Sequence, residues 1–216
     1  MNVHNKAKTP IQDRQPSFEL GERHYHFAFF PAAVFVTAWL ACSACVIAKE
    51  NTPGQWLPLT LTNDIGLQPV GFGSLTWFGF SIYDASLWTR DGTFNYRSND
   101  LSQSLPAALH ITYQKEIAST ALAERTTQEW KRLDIFSSNQ RKAWQQRLVT
   151  IWPTVKPGDS ITTLVTRDRK TYFYYNHELI AVVDDTTFGT ALLSIWLDAN
   201  TSEPQLRREL IGYKEG

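Results

Sequence analysis

The feature that most constrains this chain is a run of 22 residues, 27–48, that contains no charged side chain. Basic residues precede the run at positions 6, 8, 14 and 23, and Lys49 and Glu50 follow it directly. An apolar run of about 20 residues is long enough to cross a bilayer, and a positive flank before it is typical of an export signal. Residues 27–48 are therefore predicted to go to the membrane.

Two fates of this segment are compatible with its sequence. The run ends in Val46, Ile47 and Ala48, which are residues that a signal peptidase accepts, so cleavage after Ala48 is one prediction. The run is also longer than the usual signal core of about 7–15 residues, and Pro31 lies near its start. A retained membrane anchor and a buried helix of a soluble domain therefore stay open.

Both cysteines, Cys42 and Cys45, lie inside this run. The chain has no second Cys-x-x-Cys pair, so a zinc site or a redox pair is not predicted. Lipid attachment to one cysteine remains an alternative, although the preceding residues match a lipobox only in part. Cleavage after Ala48 would leave a mature chain without thiols.

The charge balance excludes one class of partner. Lysines and arginines number 21, as do aspartates and glutamates, so no basic field predicts nucleic-acid binding.

Only His110 and His177 follow the apolar run, and neither has the spacing of a metal site. No Gly-x-Ser-x-Gly or complete dinucleotide loop occurs. The sequence therefore predicts no catalytic motif, no metal and no cofactor.

The rest of the chain alternates between strand and helix signals. Residues 1–26 are a polar N-terminal region, and residues 49–65 are a lead-in in which 56–61 resemble a short edge strand. Residues 70–88 predict two strands, or one strand bent at Gly79, and 107–113 predict another with Leu109, Ile111 and Tyr113 on one face.

Helical periodicity follows. Ser119 or Thr120 could cap a helix that continues to about Leu133, and a second helix is predicted over 138–151. A three-strand meander over 161–183 and two short helices, near 187–197 and 203–211, complete the order. Strands followed by helices favour an α+β fold with an antiparallel sheet covered on one face.

Several sequence runs between residues 66 and 212 are distinctive. The most specific are FGFSIYDASLW at 78–88 and FGTALLSIWL at 188–197. Shorter runs are VGFG at 70–73, LHITY at 109–113, PGDSI at 157–161, LR at 206–207 and LIG at 210–212. With these runs, residues 66–212 resemble the bacterial chalcone isomerase-like family, which is related to plant chalcone isomerases and to fatty-acid-binding proteins. The resemblance implies a chalcone isomerase-like antiparallel sheet with helices layered on one face and an apolar pocket between them.

The resemblance also bears on activity. In plant chalcone isomerases an arginine on an early strand stabilises the oxyanion, and that position falls near Val70 here. No arginine or lysine occurs over residues 50–88, so catalysis of that kind is not expected.

Three functions remain open for this domain. The leading hypothesis is an exported, non-catalytic protein that binds a hydrophobic small molecule such as a fatty acid. Its ligand-binding residues are predicted to be Trp77, Tyr83, Thr112 and Tyr113. The alternatives are an envelope structural or interaction protein without a ligand, and an isomerase with a non-standard active site. The predicted location is the periplasm, either free or tethered to the membrane through residues 27–48.

Overall fold

Six strands form a single antiparallel sheet in which strands that follow each other along the chain also pair. In chain order they are β1 (Gln68–Trp77), β2 (Phe80–Thr89), β3 (Ala107–Tyr113), β4 (Ser160–Val165), β5 (Thr171–Tyr175) and β6 (Glu178–Val183). The helices are α1 (Ser119–Arg132), α2 (Ser138–Ile151), α3 (Phe188–Leu197) and α4 (Pro204–Leu210), with a short 3-10 helix at Leu101–Ser104. The α+β fold predicted from the sequence is confirmed.

These elements come from a computed structural model that describes Leu57, Leu61 and residues 63–95 and 101–213, all within one unit, Ile47–Gly216. The predicted export segment, 27–48, lies outside the described residues. Within those ranges, none of the helices has both the length and the apolar character that crossing a bilayer requires.

Tight turns explain why neighbouring strands pair. Trp77 lies opposite Phe80, so only Phe78 and Gly79 connect β1 to β2, and both have positive φ, at 47° and 79°. Asn176 and His177 connect β5 to β6 with φ of 47° and 74°. Two-residue turns with positive φ match the right-handed twist of a hairpin. The alternative of one bent strand over 70–88 is therefore replaced by a hairpin.

The main core lies between the helices and one face of the sheet, and large rings fill it. Trp130 contacts Trp144 edge-on with ring centroids 5.2 Å apart, and both contact Phe188, at 6.0 and 5.4 Å. Phe173 on β5 links Phe188 to Trp152. Edge-to-face pairs of this kind stabilise a core beyond the area that they bury.

The opposite face of the sheet is also partly covered. A smaller apolar cluster there comprises Leu57, Leu61, Leu67, Trp88, Ala108 and Leu164. Leu57, Leu61 and Leu67 precede β1 and pack on the sheet face that the helices leave free. The predicted edge strand at 56–61 is wrong at its end, because Leu61 and Asn63 are helical, while residues 56 and 58–60 lie outside the described residues.

The helix bounds agree closely with the sequence periodicity, but one predicted cap is wrong. Ala118 occupies the N-cap position of α1 and makes no side-chain hydrogen bond, so neither Ser119 nor Thr120 caps this helix. At α2, by contrast, the Ser137 hydroxyl accepts a hydrogen bond from the Gln140 amide, 3.3 Å away. Bonds of this type satisfy the free amides of a first helical turn.

Candidate functional site

A cavity of about 490 Å³ lies between the sheet and α1, and we call it the sheet–helix cavity. The ends of β1, β2 and β3 form one wall, α1 forms the facing wall, and α3 with the segment before α4 closes the side. It is partly open to solvent. Its lining residues are Leu75, Thr76, Trp77, Ile82, Tyr83, Ile111, Tyr113, Ile117, Ala121, Leu122, Arg125, Thr126, Glu129, Trp152, Ile195, Trp196, Ser202 and Glu203.

The sheet wall includes an irregularity in β2. Leu75 pairs with Tyr83 but Thr76 pairs with Ser81, so Ile82 is an extra residue on β2, as at a β-bulge. A regular strand would turn successive side chains to opposite faces, whereas a bulge redirects one of them. Ile82 and Tyr83 are neighbours in β2, and both line the cavity.

Two tyrosines occupy the centre of this wall. Tyr83 and Tyr113 are cross-strand partners whose rings meet edge-on at 6.2 Å. The Trp196 indole donates a hydrogen bond of 2.9 Å to the Tyr83 hydroxyl. Burial raises the pKa of Tyr83 to about 12, and burial next to Tyr83 raises the pKa of Tyr113 above its ordinary value. Both phenols keep their protons at neutral pH, so Tyr83 can accept from Trp196 and still donate to a ligand.

The helix wall carries an ion cluster that we call the α1 ion cluster: Arg125, Glu129 and Arg132. The buried Glu129 carboxylate pairs through one oxygen with Arg125 Nη2 and through the other with Arg132 Nε, each at 2.8 Å. Arg132 also donates to the Asn200 carbonyl, 2.6 Å away. Arg125 is 63% exposed and lines the cavity, so its remaining guanidinium donors are available there.

One further acid faces the same space. Glu203 lines the cavity from the segment before α4, and its charge contributes to the raised pKa of Tyr83. The polar groups of the cavity therefore include one cation and two carboxylates, one of which is tied to two arginines. The cavity combines an apolar interior with a few fixed polar groups, which is the usual composition of a small-molecule site.

The structure brings together three of the four residues predicted to bind a ligand. Trp77, Tyr83 and Tyr113 line the sheet–helix cavity. Thr112 lies on the opposite face of the sheet, where its hydroxyl is 3.2 Å from His110 Nε2. The reason is strand alternation, because neighbours on β3 point to opposite faces.

Several polar groups of the cavity that the sequence did not single out lie on α1 or directly after α2. Arg125 and Glu129 are four residues apart, and Arg132 is three beyond Glu129, which is a spacing that places all three on one side of a helix. Trp152 follows α2 and contributes a buried indole N–H that has no hydrogen-bond partner within the described ranges. The charge spacing was visible in the sequence, whereas the position of the cluster at a cavity was not.

Comparison with known proteins agrees with this architecture. The model of the family described as chalcone isomerase-like matches residues 60–212. An uncharacterized protein of Haemophilus influenzae is 27% identical over 145 residues, which cover 67% of this chain and 68% of that protein. The crystal structure of a fatty-acid binding protein of Arabidopsis thaliana superposes with a TM-score of 0.53 at 8% identity, over 68% of this chain and 87% of that one. The resemblance read from the sequence runs is thus confirmed, and the chain belongs to the chalcone isomerase-like family.

Proposed function

We propose that this protein binds an apolar or amphipathic small molecule, such as a fatty acid, in the sheet–helix cavity. The cavity itself is the strongest support for this proposal. Its volume of about 490 Å³ falls within the range of ligand sites, roughly 300–1,000 Å³. The fatty-acid binding protein with a similar fold supports the same ligand class. The alternative, a structural or interaction protein without a ligand, gives no reason for such a space.

The polar groups favour binding over proton transfer. A general base that works near neutral pH needs a pKa near 7, but the pKa values of Tyr83 and Tyr113 are raised by burial. Glu129 is engaged by two arginines, which occupy both of its oxygens. These groups suit hydrogen bonding to a bound molecule better than chemistry on it.

Arg125 is the group best placed to hold an acidic head group. Arg125 lines the cavity, and its guanidinium has one described ion pair, with Glu129, which leaves donors for a second carboxylate. Glu203 opposes this interaction because it is an acid in the same lining. A fatty acid would therefore place its carboxylate beside Arg125 and away from Glu203, with its chain among Leu75, Ile111 and Ile195.

The test compares dodecanoate with dodecan-1-ol, which differ in the head group alone, by calorimetric titration of the full chain. Arg125→Gln is expected to weaken dodecanoate binding up to about fivefold and to change dodecanol binding much less, since an ion pair with a largely exposed arginine is worth up to about 1 kcal/mol. Glu203→Gln is expected to strengthen dodecanoate binding. If Arg125→Gln leaves both ligands unaffected, Arg125 does not hold the head group.

The sequence of residues 27–48 also suggests where in the cell the protein binds its ligand. Their length, lack of charge and basic flank favour export, so that the binding domain works in the periplasm, either released after Ala48 or tethered to the membrane. The mass of the chain recovered from membrane and soluble fractions distinguishes the two forms. A soluble chain that begins at Met1 and is recovered from the cytoplasm would exclude both.

A further inference from the structure

The β1–β2 hairpin ends in three exposed aromatic side chains, which we call the aromatic tip: Trp77, Phe78 and Phe80. They are 67%, 83% and 63% exposed. The Trp77 and Phe78 rings meet at 4.8 Å, and Trp77 lies opposite Phe80 across the hairpin. Exposed apolar residues are ordinary when they are scattered, but three adjacent rings at one projecting turn mark a contact surface.

The backbone conformation at this turn also supports a contact surface. Phe78 has φ of 47°, in the left-handed region where a bulky side chain is disfavoured and where hairpins usually place Asn or Gly. The Phe78 ring is the most exposed of the three, so core packing does not account for it. A strained residue that contributes little to folding indicates a role in binding.

The tip also adjoins the sheet–helix cavity. Trp77 is both exposed and part of the cavity lining, so it lies where the cavity meets solvent. The Lys115 ammonium lies 5.2 Å from the centre of the Phe80 ring, which places a cation beside the rings. Aromatic rings with neighbouring lysines are the side chains that settle at the boundary between lipid head groups and acyl chains.

We propose that the aromatic tip docks this protein onto a lipid bilayer, with the three rings in the interfacial layer and the mouth of the cavity facing the membrane. The exposed area of these three residues amounts to roughly 500 Å². A stable protein interface needs about 800 Å² on each partner, whereas a few rings suffice for interfacial anchoring. The membrane segment predicted at 27–48 would keep the domain close to such a surface. Docking is independent of which ligand the cavity takes.

Spin labelling of the full chain tests the proposal. The native thiols are removed by Cys42→Ser and Cys45→Ser, and one nitroxide label is attached at Phe78→Cys. The labelled protein is then mixed with vesicles of phosphatidylcholine and phosphatidylglycerol. Because residues 27–48 are themselves predicted to bind lipid, the measurement has to report on position 78 alone. It is the ratio of two collision rates of the label: with oxygen, which concentrates in the acyl layer, and with a water-soluble nickel chelate. Leu179→Cys on β6, which is also exposed and lies on the far edge of the sheet, is the matched control.

The proposal predicts that the oxygen-to-nickel collision ratio at position 78 rises several-fold when vesicles are added, and that the ratio at position 179 stays constant. An unchanged ratio at position 78 would overturn it. Loss of both kinds of collision at position 78 would also overturn it, because the tip would then be covered by protein, such as a second copy or residues 27–48. Phe80→Cys provides the same readout if the label at position 78 prevents folding.

Discussion

His110 lies on the sheet face opposite the cavity and is fixed by hydroxyl groups. Its Nδ1 is 2.8 Å from the Thr162 hydroxyl, its Nε2 is 3.2 Å from the Thr112 hydroxyl, and its ring stacks on His177 at 6.2 Å. Burial, together with the charge of His177, lowers the pKa of His110 from 6.5 to about 4. The imidazole therefore stays neutral in the native state well below its ordinary pKa.

This shift predicts that stability depends on pH between 6.5 and 4. In that window the unfolded chain binds a proton at His110 and the native chain does not, so the free energy of unfolding decreases as the pH falls. The slope contributed by His110 approaches about 1.4 kcal/mol per pH unit, up to about 3 kcal/mol in total. Urea unfolding at a series of pH values measures it.

His110→Gln is the matched variant, because glutamine can also hydrogen-bond to the threonine hydroxyls but does not titrate. Its stability should change much less over pH 4.5–6.5, a range chosen above the ordinary pKa of carboxyl groups at about 4. If the variant keeps the slope of the wild-type protein, another group is responsible for it.

Thr112 was predicted to bind the ligand, but the sequence itself argues against that prediction. The alternation that puts Leu109, Ile111 and Tyr113 on one face of β3 also puts Thr112 on the other, so Thr112 and Tyr113 could not both face one pocket. Arg125 was harder to find. Its charge spacing with Glu129 is equally typical of an exposed helix face, and only the packing of α1 over the sheet places it at a cavity.

At the scale of elements, two glycines of β1 allow α4 to pack closely against the sheet. A side-chain carbon added at Gly71 would lie 2.1 Å from the Glu209 carbonyl oxygen, and one at Gly73 would lie 2.7 Å from the Leu206 side chain. Both glycines belong to the run at 70–73 that supported the family resemblance. Gly71 therefore permits close approach of backbone to backbone, and Gly73 leaves room for the side chains of Leu206 and Glu209. No local pattern in the sequence reveals either role.

Gly71→Ala is expected to destabilise the protein by roughly 2–3 kcal/mol, because the backbone of α4 has to move to admit the methyl group. Gln68→Ala, at an exposed position on the same strand, should stay within about 0.5 kcal/mol of the wild-type protein. Chemical unfolding gives both values. Amide hydrogen exchange adds a local readout, since exchange in α4 should accelerate in the Gly71 variant alone. Equal stability of the two variants would mean that α4 does not rest on Gly71.

The remaining elements differ in how far the sequence determines them. The bounds of α2 and the turns at 78–79 and 176–177 follow from periodicity and turn residues. The bulge at Ile82 in β2 has no local signal, because neither glycine nor proline stands beside it in the sequence. Only the pairing of β2 with β1 reveals it.

At the scale of the whole molecule, the order of elements and two residue runs were enough to identify the α+β fold and the family. The cavity could not be predicted in the same way. The chain has eight tryptophans and twelve phenylalanines, and rings that fill a core have the same composition as rings that line a pocket. Trp130 and Trp144 proved to be core, whereas Trp77 and Trp196 line the cavity. The difference lies in the space left between α1 and the sheet.

If the space between α1 and the sheet holds the ligand, a large side chain placed at it should block binding. Ala121 lines the cavity from α1, whereas Gln128 is exposed on the same helix and is not part of the lining. Calorimetric titration of the full chain with dodecanoate would compare Ala121→Trp with Gln128→Trp, which isolates the cavity from any lipid binding by residues 27–48. We predict that Ala121→Trp weakens binding at least tenfold, about 1.4 kcal/mol, while Gln128→Trp binds like the wild-type protein. Equal binding by all three proteins, or no binding by the wild-type protein, would contradict the account.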